Sequence, residues 1–275
     1  MNRTIFPAAL GLLLALGATA VTGSDDKYVD AMAREHAGDV PVAAAAGDGS
    51  PAAAVRGETI EYPGGQGYLA RPAGEARAGL IVIHEWWGLN DNIREMSNRL
   101  AAEGYLALAV DLYEGQVAED AGQARELMSA AMGDADRVDE QLRGAFRWLR
   151  EEGGVGQVGS IGWCLGGALS LRTAIMLPEE LDAAVIYYGR LVTDPAQLAP
   201  LRMPILGIFG GQDRGIPVES VIEFETMLQT LGKPAEIVIY EDADHAFANP
   251  SGTRYEPEAA ADAWRRTLEF LAEHL

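Results

Sequence analysis

Read for spacing alone, residues 56–275 alternate between short apolar runs and longer segments whose apolar positions recur every three or four residues. The runs at 80–84, 106–110, 157–162, 183–188, 205–210 and 237–240 are short and rich in β-branched and apolar residues, which predicts buried strands. Between them, 93–103, 123–132, 135–152, 165–176, 217–231 and 258–274 carry helical periodicity. Such alternation predicts an α/β fold with a mostly parallel central sheet and helices on both faces. In that architecture the ligand crevice lies at the carboxyl ends of the strands, so chemistry is expected in the loops that follow them. Ahead of this pattern, 57–62 and 67–71, joined through Pro63-Gly64-Gly65, predict an antiparallel hairpin. No repeat of fixed period interrupts the series.

The amino terminus obeys different rules. Residues 1–20 contain Arg3, an apolar run over 5–16 and then Ala18-Thr19-Ala20. This predicts a cleaved signal peptide, because a stretch ending near Val21 is shorter than the roughly 20 apolar residues needed to span a bilayer. The expected destination is a periplasm or the exterior, with no membrane association after cleavage. Residues 24–36 suit a short helix, whereas 37–55 hold Ala, Gly, Pro and Asp with almost no large apolar side chain. Such a stretch cannot offset its ordering entropy by burial. Residues 21–55 are therefore expected as a flexible or loosely docked arm, and 56–275 as the folded domain.

Charge narrows the partners. With 41 acidic against 21 basic side chains the net charge is -20, which excludes nucleic acid and leaves a small molecule as the expected partner of a monomer. A single cysteine, Cys164, excludes a disulfide framework. Only His36, His84, His245 and His274 can supply an imidazole.

The densest chemistry lies at Gly162-Trp163-Cys164-Leu165-Gly166-Gly167, a strand end running straight into a helix. This is a nucleophile-elbow pattern with cysteine in place of serine. The turn strains its central residue, and the glycines let strand and helix approach. A helix amino terminus at Cys164 favours thiolate and an oxyanion beside it, with the Leu165 N–H as one donor. Alone, the motif serves a core cysteine equally well. Two later strand ends change that balance: Gly210-Gly211-Gln212-Asp213 offers an acid and Asp244-His245-Ala246-Phe247 a base. Nucleophile, acid, base is the chain order this hydrolase architecture uses, so Asp213 would orient His245 and His245 would activate Cys164. His36 falls in the arm and His274 is penultimate. His84 is the rival base, better read as a structural histidine at a strand end.

These three motifs, together with His84-Glu85-Trp86-Trp87-Gly88-Leu89-Asn90, resemble the dienelactone hydrolase family of the α/β-hydrolase fold, over about residues 56–275. The resemblance implies a carboxylic ester hydrolase (EC 3.1.1.-) that opens an ester or lactone through a Cys164 thioester, without metal or organic cofactor. It also implies that Glu85 neighbours the thiol and is repositioned by ligand, and that the Trp86 N–H is the second oxyanion donor. A carboxylate there would keep the resting cysteine neutral by accepting its hydrogen bond. The alternative is that Glu85 caps the following helix, a position Asp91 suits equally well. Trp87, Tyr113 and Asn249 are the expected pocket residues. The sequence departs from the family at two carboxylate-gripping arginines: Glu114-Gly115-Gln116 follows Asp111-Leu112-Tyr113, and Asn249 lies four residues beyond His245. Dienelactone itself is therefore not the expected substrate; Arg190, Arg214 or Arg254 could substitute for the missing grips, though each reads first as an ordinary surface charge. A non-catalytic small-molecule binding protein and a redox-sensing thiol are the alternatives from other classes.

Overall fold

The computed structural model describes residues 22–36, 39 and 55–275; the expected signal peptide and nearly all of 37–55 lie outside them. The described chain runs α1 (Thr22–Glu35), β1 (Glu58–Tyr62), β2 (Gly65–Ala70), β3 (Gly79–Ile83), α2 (Asp91–Ala102), β4 (Leu106–Val110), α3 (Ala121–Gly133), α4 (Ala135–Glu151) and β5 (Val158–Trp163). It continues through α5 (Leu165–Met176), β6 (Ala183–Tyr187), α6 (Pro195–Leu198), β7 (Ile205–Gly210), α7 (Val218–Thr230), β8 (Ala235–Tyr240) and α8 (Pro257–His274). The short α6, started by the Asp194 cap and Pro195, has no signal in apolar spacing because only Leu198 is buried.

Eight strands form one sheet in the order β1-β2-β4-β3-β5-β6-β7-β8. β1 and β2 form the expected hairpin, β2 joins β4 antiparallel, and every other pairing is parallel. Strands β3, β4, β5, β6 and β7 are buried along their whole length, which is why they carry apolar runs rather than alternation. β8 lies at the edge and is only partly covered, so its run is the least continuous. Parallel register aligns Ile83 with Gly162 and Trp163 with Tyr187. The carboxyl ends of β3, β5 and β6 therefore open at one rim, and β7 and β8 end beside them.

α1 departs from the expectation of a loose arm. It packs on α3, with Tyr28, Val29 and Met32 buried in the main core cluster. Full burial of such side chains contributes roughly 1.5–3 kcal/mol each, before the cost of ordering the segment. Arg125 pairs with Asp30 at 2.6 Å, and Arg190 lies over the Tyr28 ring at 4.5 Å. The composition of 37–55 hid this, because a few well-placed apolar residues ahead of it suffice to dock the helix.

Candidate active site

Cys164 stands between β5 and α5 with φ 56° and ψ -115°, a strained left-handed conformation for a side-chain-bearing residue. Its backbone is held by the Cys164 N–H bond to the Tyr187 carbonyl at 3.0 Å. The flanking glycines are required sterically. A Cβ on Gly162 would meet the Gly166 carbonyl oxygen at 2.1 Å, and one on Gly166 would meet the Ile83 carbonyl oxygen at 2.1 Å. Leu165 opens α5, and its N–H lies in the first turn, where amides lack intrahelical acceptors.

From the loops after β7 and β8, the predicted acid and base arrive together. His245 Nδ1 donates to Asp213 Oδ2 at 2.7 Å, and both side chains are fully buried. The other oxygen, Asp213 Oδ1, accepts from the Gly215 and Ile216 amides at 2.8 Å each, so the carboxylate cannot rotate away. This leaves His245 Nε2 buried without a hydrogen-bond partner among the described residues, within 4.8 Å of the Cys164 sulfur.

The fourth motif supplies a wall. Glu85 follows β3 and is buried, accepting from the Asn249 side-chain amide. Contrary to expectation, it does not hold the thiol's hydrogen bond. Nor does it cap α2, whose cap is Asn90, accepting from the Ile93 N–H at 3.2 Å. His84, the rival base, is occupied: Nδ1 donates to the Glu85 carbonyl and Nε2 accepts from the Leu112 N–H at 3.3 Å. Burial holds it below the ordinary histidine value, consistent with a neutral structural bridge. Tyr113 is a buttress rather than an open pocket wall, its hydroxyl donating to the Trp86 carbonyl at 3.1 Å. Trp87 and Asn249 do line a small cavity, with His36, Asp39 and residues 251–254.

The residue that sequence reasoning missed is His36. It sits at the end of α1, buried, its ring 4.4 Å from that of Trp86 and 5.1 Å from that of His245. His36 Nε2 lies 3.9 Å from the Cys164 sulfur, and Met32 Sδ lies 3.8 Å from it. Nδ1 lies 2.8 Å from Asp39 Oδ2 and 2.9 Å from Arg254 Nη2, and that carboxylate also accepts from Arg254 at 2.9 Å. Arg254 further donates to the Glu35 carbonyl at 2.9 Å, so it fastens the arm instead of standing free at the surface. The cysteine thus faces two imidazoles, each backed by an aspartate. A signal existed in the histidine and aspartate spaced three apart at the end of an amphipathic segment, but nothing local tied it to residues some 130 positions away.

Electrostatics follow from this enclosure. Burial pushes the thiol up, yet the two histidines outweigh it and bring Cys164 down to about 6. The resting cysteine therefore leans toward thiolate, not toward the neutral form expected from Glu85 alone. Burial pushes His245 down, but Cys164 and Asp213 override this and hold it well above the usual histidine range. His36 is likewise raised, burial being outweighed by Asp39 and Cys164. Burial first, and then the Cys164 charge, lifts Glu85 to about 7. Access is closed: Cys164 is 1% exposed, under Met32 and His36.

A model of the dienelactone hydrolase family matches residues 66–275. The chain belongs to the dienelactone hydrolase family. Protein usf of Aquifex pyrophilus is 34% identical over 217 residues, covering 76% of this chain and 94% of the relative. A "Putative carboxymethylenebutenolidase" of Saccharolobus solfataricus is 33% identical, covering 74% and 92%. Among solved structures, a "Putative Dienelactone Hydrolase" from Klebsiella pneumoniae superposes with TM-score 0.71 at 30% identity, covering 80% of this chain and 99% of that one. The α/β-hydrolase fold and hydrolase class are thereby established. Because the family match begins at residue 66, Met32, His36 and Asp39 all lie outside it.

Proposed function

We propose that the chain is an exported carboxylic ester hydrolase that cleaves an ester or lactone through a Cys164 thioester. The observation that carries this reading is the Cys164 thiol on its strained turn, facing a His245 Nε2 that no other group occupies, with Asp213 fixed behind the ring. The relative named for carboxymethylenebutenolidase supports a lactone or ester as the substrate class.

In this mechanism the thiolate attacks the substrate carbonyl while His245 carries the proton. The tetrahedral oxyanion is held by the Leu165 and Trp86 N–H groups. Collapse passes the His245 proton to the leaving alkoxide and leaves an acyl-thioester. His245 then takes a proton from water, the resulting hydroxide attacks the thioester carbonyl, and the acid departs as the thiol is restored. Asp213 keeps Nδ1 as the protonated nitrogen. Glu85, buried beside these groups, opposes thiolate when it ionises, so its charge tunes the sulfur.

Cys164 is 1% exposed and lies under Met32 and His36, so substrate reaches the sulfur when α1 lifts away. Replacing Cys164 by alanine should abolish turnover of activated aryl esters and neutral lactones while the circular dichroism spectrum is unchanged; retained turnover would refute the assignment. A binding protein or a redox-sensing thiol draws no comparable support, since the triad is complete and the sulfur is covered.

A further inference from the structure

Three soft or borderline donors converge where the mechanism uses only two. His36 Nε2, Cys164 Sγ and His245 Nε2 all lie within 4.8 Å of one another, and all three residues are buried. His245 donates its Nδ1 proton to Asp213, and His36 Nδ1 lies 2.8 Å from Asp39 Oδ2 and 2.9 Å from Arg254 Nη2. For His245 this sets the tautomer whose Nε2 lone pair points at the common centre, the carboxylate–histidine pairing that orients metal ligands, while Asp39 and Arg254 together hold the His36 ring with its Nε2 toward the sulfur. Among the described residues, His245 Nε2 has no hydrogen-bond partner.

From this the geometry points to a zinc site, formed by Cys164, His245 and His36, that is completed only when the amino-terminal helix is docked. Thiolate and imidazole are the donors Zn²⁺ prefers, and three protein ligands plus one open position is a common arrangement for it. Zinc at about 2.3 Å from sulfur and about 2.1 Å from nitrogen would draw the donors to roughly 3.5 Å of one another. Starting from 4.8 Å or less, the side chains close by roughly 1 Å. Water would take the fourth position. Binding forms Zn–S and two Zn–N bonds, and any proton held by the thiol or by either Nε2 is released to solvent.

Two consequences follow. The metal takes the sulfur and the His245 lone pair together, so the loaded enzyme is inactive; this part rests on the hydrolase reading above. The metal also staples α1 to the domain, because His36 is the one donor the arm supplies. His36 lies outside the family match, so the site belongs to the arm and not to the shared domain.

The test uses the mature chain stripped with a chelator and titrated with Zn²⁺ in competition with a chromophoric chelator, alongside Co²⁺ absorption spectra. The expected result is one equivalent per chain and a thiolate-to-cobalt charge-transfer band that Cys164→Ala abolishes. Asp39→Asn, which keeps the imidazole and loosens its orientation, should weaken binding about tenfold. His36→Ala should weaken it further, His274→Ala should leave it unchanged, and zinc should slow hydrogen exchange across 22–36 in the wild type alone of these arm variants. Absence of a tight equivalent, or equal affinity in His36→Ala, would overturn the site. Turnover of the metal-free enzyme reports separately: an inert but zinc-binding protein supports the site and refutes the hydrolase reading, whereas an active one without tight zinc refutes the site alone.

Discussion

The arm makes a quantitative claim, and Met32 is the place to test it. Its side chain is wholly buried, with Sδ 3.8 Å from the Cys164 sulfur and its terminal methyl crowding the space above Gly215. Met32→Ala removes that plug from a site where the surroundings on one side are a stiff sheet rim, so little collapse can compensate. Large-to-small changes of this kind cost about 2–5 kcal/mol. α1 joins the domain by packing rather than by sheet pairing, so the cost falls mainly on docking of the arm and not on global unfolding. At about 1.4 kcal/mol per factor of ten, the lower bound raises the open population about 30-fold. The assay is pseudo-first-order alkylation of the single thiol, followed by intact mass, with thermal unfolding run in parallel. Alkylation should accelerate about 30-fold or more, until the arm is mostly open, with a small change in melting temperature. Equal alkylation rates in mutant and wild type would show that α1 does not shield the sulfur.

Other expectations follow from the same geometry. Asp213→Asn should leave the fold intact yet lower kcat by about 10⁴, by favouring the wrong His245 tautomer, measurable as initial rates on an aryl ester. With Cys164 lowered to about 6, thiolate is present above that pH and lost below it, so kcat/KM should fall on acidification through about pH 6. Glu85 gains its charge as pH rises through about 7 and opposes thiolate, so Glu85→Gln should move that limb to lower pH; an upward shift would show that Glu85 assists ionisation. With Asn249 bonded to Glu85 in place of an arginine, neutral lactones and esters should outcompete anionic dienelactone in kcat/KM across a substrate panel.

Much of the molecule could be read directly from its residues. Short, largely apolar runs at β3 to β7, alternating with helical segments, identify a buried parallel sheet, and the elbow announces itself because Gly162 and Gly166 leave no room for a Cβ. Asp213 and His245 follow from their places at strand ends, and their 2.7 Å contact matches that order. What escaped the sequence is long-range. His36 sits in a segment whose flanking composition argues against docking, and its meaning comes only from a sulfur 3.9 Å away but 128 residues on. Arg254 reads as a surface charge until Asp39 and Glu35 are brought to it. The lowering of the Cys164 thiol depends in part on the second imidazole, which nothing near the motif reveals, whereas Glu85 stands beside it in the sequence pattern.

The most direct examination of the central claim is to quench the enzyme with acid during turnover of an activated acyl ester and map the adduct by peptide mass. Covalent catalysis at sulfur predicts one acyl group on the peptide carrying Cys164, accumulating on the scale of turnover and disappearing when substrate is exhausted. An unmodified cysteine in an enzyme that is visibly turning over, or an acyl group lodged on another residue, would contradict it.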